Sequence, residues 1–264
     1  DQINWSSKTL YTYINEGLLQ AKPIDMPRAV RRKPKKKKSI NHKVDSKCRQ
    51  GRNFDDYHAY MEEHPDSIVC QIDTVEGTKG GKCILTLCFV TLKFQFGILR
   101  EHNDSHSVTQ AFQYLYSIMD HNLFHLLFDV ILTDNGTEFS NPTAIESLED
   151  NGIHPHVFYC EPNRSDQKGA CENDHSNFRR IVPKGTNMDP YTQELINLIF
   201  SHVNSLSRTS LNGHTPYESF RFLYGQNIRD LWHIRYIKPN DVVLMPFLIN
   251  QFFKNEGECH DDVR

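Results

Sequence analysis

Three apolar, β-branched runs in direct succession constrain this chain more than any other feature: SIVCQIDTV (67–75), KCILTLCFVTL (82–92) and KFQFGILR (93–100). Each has the length of a strand, and each is rich in Val, Ile, Leu, Thr or Phe, most of which favour a pleated, half-buried surface. Only the glycine-rich turn EGTKGGK and a short break near Lys93 separate them. Connections this short cannot carry the crossover that a parallel pairing needs, so the three runs are expected as consecutive antiparallel strands.

After residue 100 the texture alternates. SHSVTQAFQYLYSIMDH places Val108, Phe112, Leu115 and Met119 on one face of a helix. LLFDVILTD reads as a strand, TAIESLEDNG as a short helix stopped by glycine, and HPHVFYC as another strand. The HxH of His154 and His156 is read as an ordinary strand face. A long helix over roughly 165–182 is broken by Pro183, and a further helix covers roughly 190–206. Three antiparallel strands followed by α-β-α-β-α imply an α/β domain with a mixed five-stranded sheet flanked by helices, the element order of the ribonuclease H-like fold. Ahead of it, SSKTLYTYINEGLLQ (6–20) reads as a short helix capped by Ser6 or Ser7. Behind it, LNGHTPYESFRFLYG reads as a helix docking on the core and IKPNDVVLMPFLI as a terminal strand or two.

The formal net charge of −3 conceals a segregation. Residues 28–52 hold 12 Lys or Arg against one acid, Asp45, so this stretch carries +11 and the remainder −14. With Pro27 and Pro34 and almost no apolar content, the stretch cannot bury enough surface to order itself, and residues 23–56 are expected as a flexible linker. Its Arg31, Arg32, Lys33, Lys35, Lys36, Lys37 and Lys38 are candidate contacts to DNA phosphates, since so many like charges repel without an anion. A solvated linker or a nuclear localisation signal is the alternative. No run approaches the roughly 18 apolar residues that cross a bilayer. The first residues show no charged-then-apolar signal pattern. Seven cysteines without a CxxC pair indicate neither a disulfide framework nor a zinc ribbon. A cytoplasmic protein with reduced thiols, no membrane partner and no small-molecule cofactor is expected. Because the chain opens at Asp inside what reads as a helix, a missing N-terminal portion is expected too.

Among 33 Asp and Glu, three stand in contexts that suit a metal ligand. Asp73 and Asp134 each lie at the end of a short apolar run, where a carboxylate is poorly solvated and held in place; Glu172 lies in the basic segment RSDQKGACENDHSNFRR, read as a helix. If the first and fourth strands pair in parallel, Asp73 and Asp134 become neighbours and Glu172 can face them from a packed helix. Asn135-Gly136 permits a tight turn straight after the strand. Glu138 is the rival ligand, read instead as holding the loop or meeting DNA. Lys168, His175 and Arg179 share the face of Glu172; taken alone, exposed helix ion pairs worth about 0.3–0.5 kcal/mol each would account for them. Converging carboxylates suit magnesium, a hard cation that takes oxygen ligands. Two such ions about 3.5–4 Å apart serve both the attacking and the leaving oxygen of a phosphodiester.

QIDTVEGTKGGK, ILTDNGTEFSNP, VFYCEPNRSDQKGACENDHSNFRRIVPKGT and LNGHTPYESF, in this order and at these separations, resemble the DDE transposase and integrase core, specifically the insertion-sequence-thirty family of bacterial transposases. The resemblance implies a helix-turn-helix remnant over 1–22, the linker over 23–56, a ribonuclease H-like catalytic core over 57–206 and a C-terminal extension of helix and strand over 207–264. It implies Asp73, Asp134 and Glu172 as a catalytic, metal-binding triad with two Mg2+, for which Mn2+ substitutes. Arg164, Lys168, Arg179, Arg180 and Lys184 would line the DNA path. The implied activity is strand cleavage at element ends, then attack of the freed 3′ hydroxyl on target DNA, by a homo-oligomer at the bacterial nucleoid. Asp166 departs from the aromatic residue that relatives often carry there. Two other readings stay open: a truncated, non-catalytic DNA-binding remnant or regulator, and a ribonuclease H-like nuclease without strand transfer.

Neutralising Lys35 to Lys38 should weaken duplex binding uniformly across sequences and reduce its salt slope by about 0.9 for each phosphate that is no longer neutralised. Titrations over a salt series that returned an unchanged slope would remove the linker from the DNA path.

Overall fold

A computed structural model describes residues 6–22, 47–148, 155–162, 164, 167, 176–225 and 231–261, with 256–261 described by backbone alone. Contacts divide the chain into Asp1–Lys43 and Val44–Arg264. In the first unit Ser7–Asn15 forms helix α1; Ser6 Oγ accepts from the Thr9 amide at 3.1 Å, and Ile14 is buried. This cap satisfies one of the amides that a helix start leaves without an intrahelical partner.

In the second unit the chain runs Phe54–Glu63 (α2), Val69–Glu76 (β1), Cys83–Phe89 (β2), Phe94–Arg100 (β3), Ser105–Ile118 (α3), His121–Leu127 (α4) and Val130–Thr133 (β4). It continues with Pro142–Glu146 (α5), His156–Tyr159 (β5), a helical stretch over 176–181 (α6), Gln193–Asn204 (α7), Pro216–Tyr224 (α8) and Phe247–Asp261 (α9). The sheet order is β3-β2-β1-β4-β5, with β1 to β3 antiparallel and β4 and β5 parallel to β1. This is the mixed, ribonuclease H-like sheet that the element order predicts. Every residue of β2 is buried, and burying each large apolar side chain contributes about 1.5–3 kcal/mol.

Strand alternation fixes what each side of the sheet meets. Asp73 stands opposite Thr86, and Thr86 opposite Gly97. A Cβ on Gly97 would run into Phe200 and Ile196, so α7 covers this side of β3. On the same side, four residues before Asp73, Val69 clusters with Val130, Leu132 and Phe158 beneath Phe54, Tyr57, Tyr60 and Met61 of α2. Further along this side of β1, Asp73 is half-buried and Val75 is buried. Ile72 and Ile131, on the other side, belong to the large core that includes Val108, Phe112 and Leu115 of α3.

An edge strand leaves unpaired backbone groups that must be covered. Here α7 covers β3 with side-chain amides. Gln193 donates to Gly97 O at 2.8 Å and accepts from the Leu99 amide at 2.9 Å; Asn204 donates to Gln95 O at 2.6 Å and accepts from the Gln95 amide at 2.9 Å. The opposite face of α7 receives the C-terminal segment. Ser201 Oγ accepts from the Arg235 amide, Ser205 Oγ from Ile237 and His202 Nδ1 from Val243, at 2.9, 2.8 and 3.0 Å.

Three expectations change. Residues 47–56 are not a free linker: Arg52 and Glu146 form a two-pronged pair at 2.8 and 2.6 Å, and Asn53 closes a capping box with Asp56 that starts α2. Leu126 and Leu127 end α4 rather than opening a strand, because Asp120 caps that helix and sets Phe124 and Leu127 into the core at helical spacing. The described residues of 207–264 contain no strand. In α9 the apolar positions 248, 249, 252 and 253 repeat at helical spacing, with Leu248 and Ile249 buried. The linker charges Arg31, Arg32, Lys33 and Lys35 to Lys38 lie outside the described residues, and among those described no helix is long and apolar enough to cross a membrane.

Burial holds the His202 imidazole below its ordinary pKa, and its Nδ1 is used as an acceptor, so it folds neutral. The unfolded chain binds that proton more readily, so the contribution is complete above about pH 6.5 and is lost as pH falls through the lower folded value. Denaturant midpoints should therefore drop on acidification through this window, and His202→Gln should flatten that limb. An equally steep limb in the variant would assign the effect elsewhere.

Candidate active site

The parallel ladder pairs Val69 with Val130, Cys70 with Ile131 and Gln71 with Leu132, a constant difference of 61 in residue number. The same offset carries Asp73 to Asp134, one residue past the end of β4. The two carboxylates thus leave adjacent strands on one side of the sheet, and neighbouring strands lie about 4.8 Å apart. Asp73 is half-buried and Asp134 exposed.

Local bonds orient both acids. Asp73 Oδ1 accepts from the Thr74 amide at 2.9 Å, while its carbonyl accepts from Thr86 Oγ1 at 3.0 Å. Asp134 Oδ1 accepts from the Gly136 amide at 2.9 Å, and Asn135 Nδ2 donates to Cys160 O at 2.6 Å, tying the loop to the end of β5. Glu138 folds back so closely over Gly136 that a Cβ there would meet its carboxylate.

No family model matches the chain. It is 29% identical over 224 residues to a probable transposase for the insertion-like sequence element IS1161 of Streptococcus salivarius, covering 79% of this chain and 56% of that protein. It is 37% identical over 83 residues to the transposase for insertion sequence element IS1086 of Cupriavidus metallidurans, covering 31% of this chain and 23% of the relative. Against transposase InsI for insertion sequence element IS30A of Escherichia coli, identity is 29% over 146 residues, 55% of this chain and 36% of the relative. This chain is a relative of the insertion-sequence transposases. It spans about half the length of the first of these relatives and less of the others. Among solved structures, the catalytic core domain of BIV integrase aligns with a TM-score of 0.40 and 18% identity, over 59% of this chain and 94% of that one.

Of the cations expected beside the acids in this transposase relative, Arg180 and Lys184 are exposed at the end of α6 and just beyond it, and Arg164 pairs with Glu161 at 3.4 Å. Arg179 is turned inward. Its Nη2 donates to Glu76 O at 3.1 Å; burial lowers its guanidinium pKa and the charge of Asp73 pushes it back up. Lys168 and Glu172 lie outside the described residues. Among those described, no three His, Cys, Asp or Glu are placed to hold a metal ion. The described donor set is the Asp73 and Asp134 pair, hard oxygen ligands that suit magnesium or manganese once a third carboxylate joins them.

Two features of the site had weak signals in the sequence. Arg100 ends β3 and is buried; it donates to Thr74 Oγ1 at 2.8 Å and Ser107 Oγ at 2.9 Å, fixing the residue after Asp73 to the start of α3. Burial lowers its pKa, against the opposing pull of Cys83, Glu138, Asp104 and Glu76. Its only mark in sequence is a charge closing an apolar run. The turn after β1 is locked under the loop after α6: the Lys82 amide donates to Asp189 Oδ1 at 3.0 Å, and a Cβ on Gly77 would run into the Thr186 carbonyl oxygen.

Because that obstacle is backbone, Gly77→Ala should lower stability by about 1–3 kcal/mol. The shift is read from the denaturant midpoint; parent-like stability would show that the turn and loop separate at no cost.

Proposed function

We propose that this chain carries the phosphoryl-transfer core of a DNA transposase, with Asp73, Asp134 and Glu172 as its metal-binding acids. The shared 61-residue offset supports this most strongly, because it sets two carboxylates of separate strands next to each other on one side of the sheet. Similarity to transposases supplies the substrate class.

In this reading DNA runs past Asp73 and Asp134, with phosphates met by Arg180 and Lys184 and by the basic residues ahead of the core. Asp134 keeps one oxygen on the Gly136 amide and presents the other outward; Asp73 is anchored by the Thr74 amide. Magnesium or manganese held by these acids would neutralise a phosphoryl group and render a bound oxygen nucleophilic at neutral pH. In the first step water adds to phosphorus at an element end and the bond to the 3′ oxygen breaks, freeing a 3′ hydroxyl. In the second that hydroxyl attacks a target phosphodiester, a new P–O bond forms and the target's 3′ oxygen leaves. Joining two ends calls for at least two copies of the chain.

The test compares the parent with Asp134→Asn on supercoiled plasmid and on short duplexes carrying candidate ends, with Mg2+ or Mn2+ against EDTA. Metal-dependent nicking or joining should fall at least about 100-fold in the variant, a larger loss than removing a residue that merely supports a ligand. Salt-sensitive DNA binding should stay within about twofold, since the basic residues are untouched. Equal loss of binding and cleavage would make Asp134 a residue of the fold, and nicking without joined products would make the chain a nuclease.

A further inference from the structure

We infer that Arg49 is a positioning residue for the Asp134 carboxylate, acting through a single peptide group. The inference rests on the metal-binding role proposed for Asp134. Arg49 Nη2 donates to the carbonyl of Asn135 at 3.3 Å. The amide of Gly136, the other end of the same planar peptide unit, donates to Asp134 Oδ1 at 2.9 Å. The unit cannot twist about its C–N bond, so fixing its oxygen fixes the direction of its N–H, and with it one oxygen of Asp134.

The brace is itself held. The guanidinium carbon of Arg49 lies 5.5 Å from the centroid of the Tyr159 ring, and Tyr159 Oη donates to the Phe139 carbonyl across the same loop. Three residues on, Arg52 grips Glu146 through two bonds, and its carbonyl accepts from the Tyr159 amide at 2.9 Å. Residues 49 to 52 are therefore held against β5 and α5. A cation at the carbonyl end of a peptide also polarises it and strengthens donation from its N–H. Both effects favour one carboxylate orientation, with the second oxygen left to a cation.

The sign of the effect separates this role from plain electrostatics. Removing a positive charge near a cation site should tighten metal binding by Coulomb's law, whereas removing a positioning group should weaken it, typically 10–100-fold for groups that orient a ligand. The experiment titrates Mn2+ into the full chain without DNA and reads free Mn2+ by electron paramagnetic resonance. It uses the parent, Asp134→Asn, Arg49→Met, which keeps the stem packed on Tyr159, and Arg49→Gln, which serves if Met prevents folding. The expected result is loss of site binding in Asp134→Asn and a midpoint raised about 10-fold in the folded Arg49 variant, with the number of ions bound unchanged. A midpoint equal to or below the parent's in that variant overturns the role of Arg49 while leaving the metal site standing. Parent and Asp134→Asn titrating alike overturns the metal site, and this inference with it.

Discussion

The parallel pairing of β1 with β4 is the constraint on which the rest of the site depends. It is short, with three residue pairs in register, and it joins the antiparallel meander to the half of the sheet that comes from α/β alternation. A slip of one residue would turn every following side chain to the other side. Asp134 would then face the α3 side while Asp73 stayed on the side that α2 and α7 occupy. What opposes the slip is the cluster of Val69, Val130, Leu132 and Phe158 beneath α2, because a one-residue shift would turn Val130 and Leu132 to the other side. The acids stand together because their apolar predecessors in the strands do.

The second constraint is the treatment of the β3 edge. Gln193 and Asn204 give the edge strand hydrogen bonds that another strand would otherwise supply, and they fix α7 in both position and rotation. Through the tight approach of Phe200 to Gly97, the helix lies flat against the sheet. That placement offers Ser201, His202 and Ser205 to the C-terminal segment on the helix's far side. One helix thus closes an edge and anchors the C-terminal segment.

Much of this is legible in the sequence because the signals are periodic. The three runs at 67–100 form β1, β2 and β3 with the expected turns, and the Val108, Phe112, Leu115 face is the buried face of α3. Asp73 and Asp134 stand out because each follows apolar residues whose burial fixes its direction. Sequence is misleading where local composition and tertiary partner disagree. Residues 47–56 look like linker by charge, yet Glu146, nearly a hundred residues away, orders Arg52. IKPNDVVLMPFLI looks like strand by its apolar content, yet Pro246 lies just ahead of a helix whose apolar positions only become periodic past residue 247. Helical spacing from Glu172 is visible in sequence and points Arg179 to the DNA path, whereas its bond to the Glu76 carbonyl is a contact that spacing does not reveal.

Arginines around the loop are used in two distinct ways, and the contrast bears on what the acids are for. Arg52 takes both oxygens of Glu146, the two-pronged geometry that saturates a carboxylate and fits a structural pair. Arg49, three residues earlier, donates instead to the carbonyl beside Asp134, and Arg179 donates to the carbonyl of Glu76, three residues after Asp73. A guanidinium at a carbonyl still lowers the potential cost of adjacent anions, since the interaction falls only as the inverse of distance. Arg49 does so through the peptide group whose amide holds Asp134 Oδ1. Positive charge bound to the peptide beside Asp134 suits the role proposed for that acid, a carboxylate kept in one orientation to meet a cation.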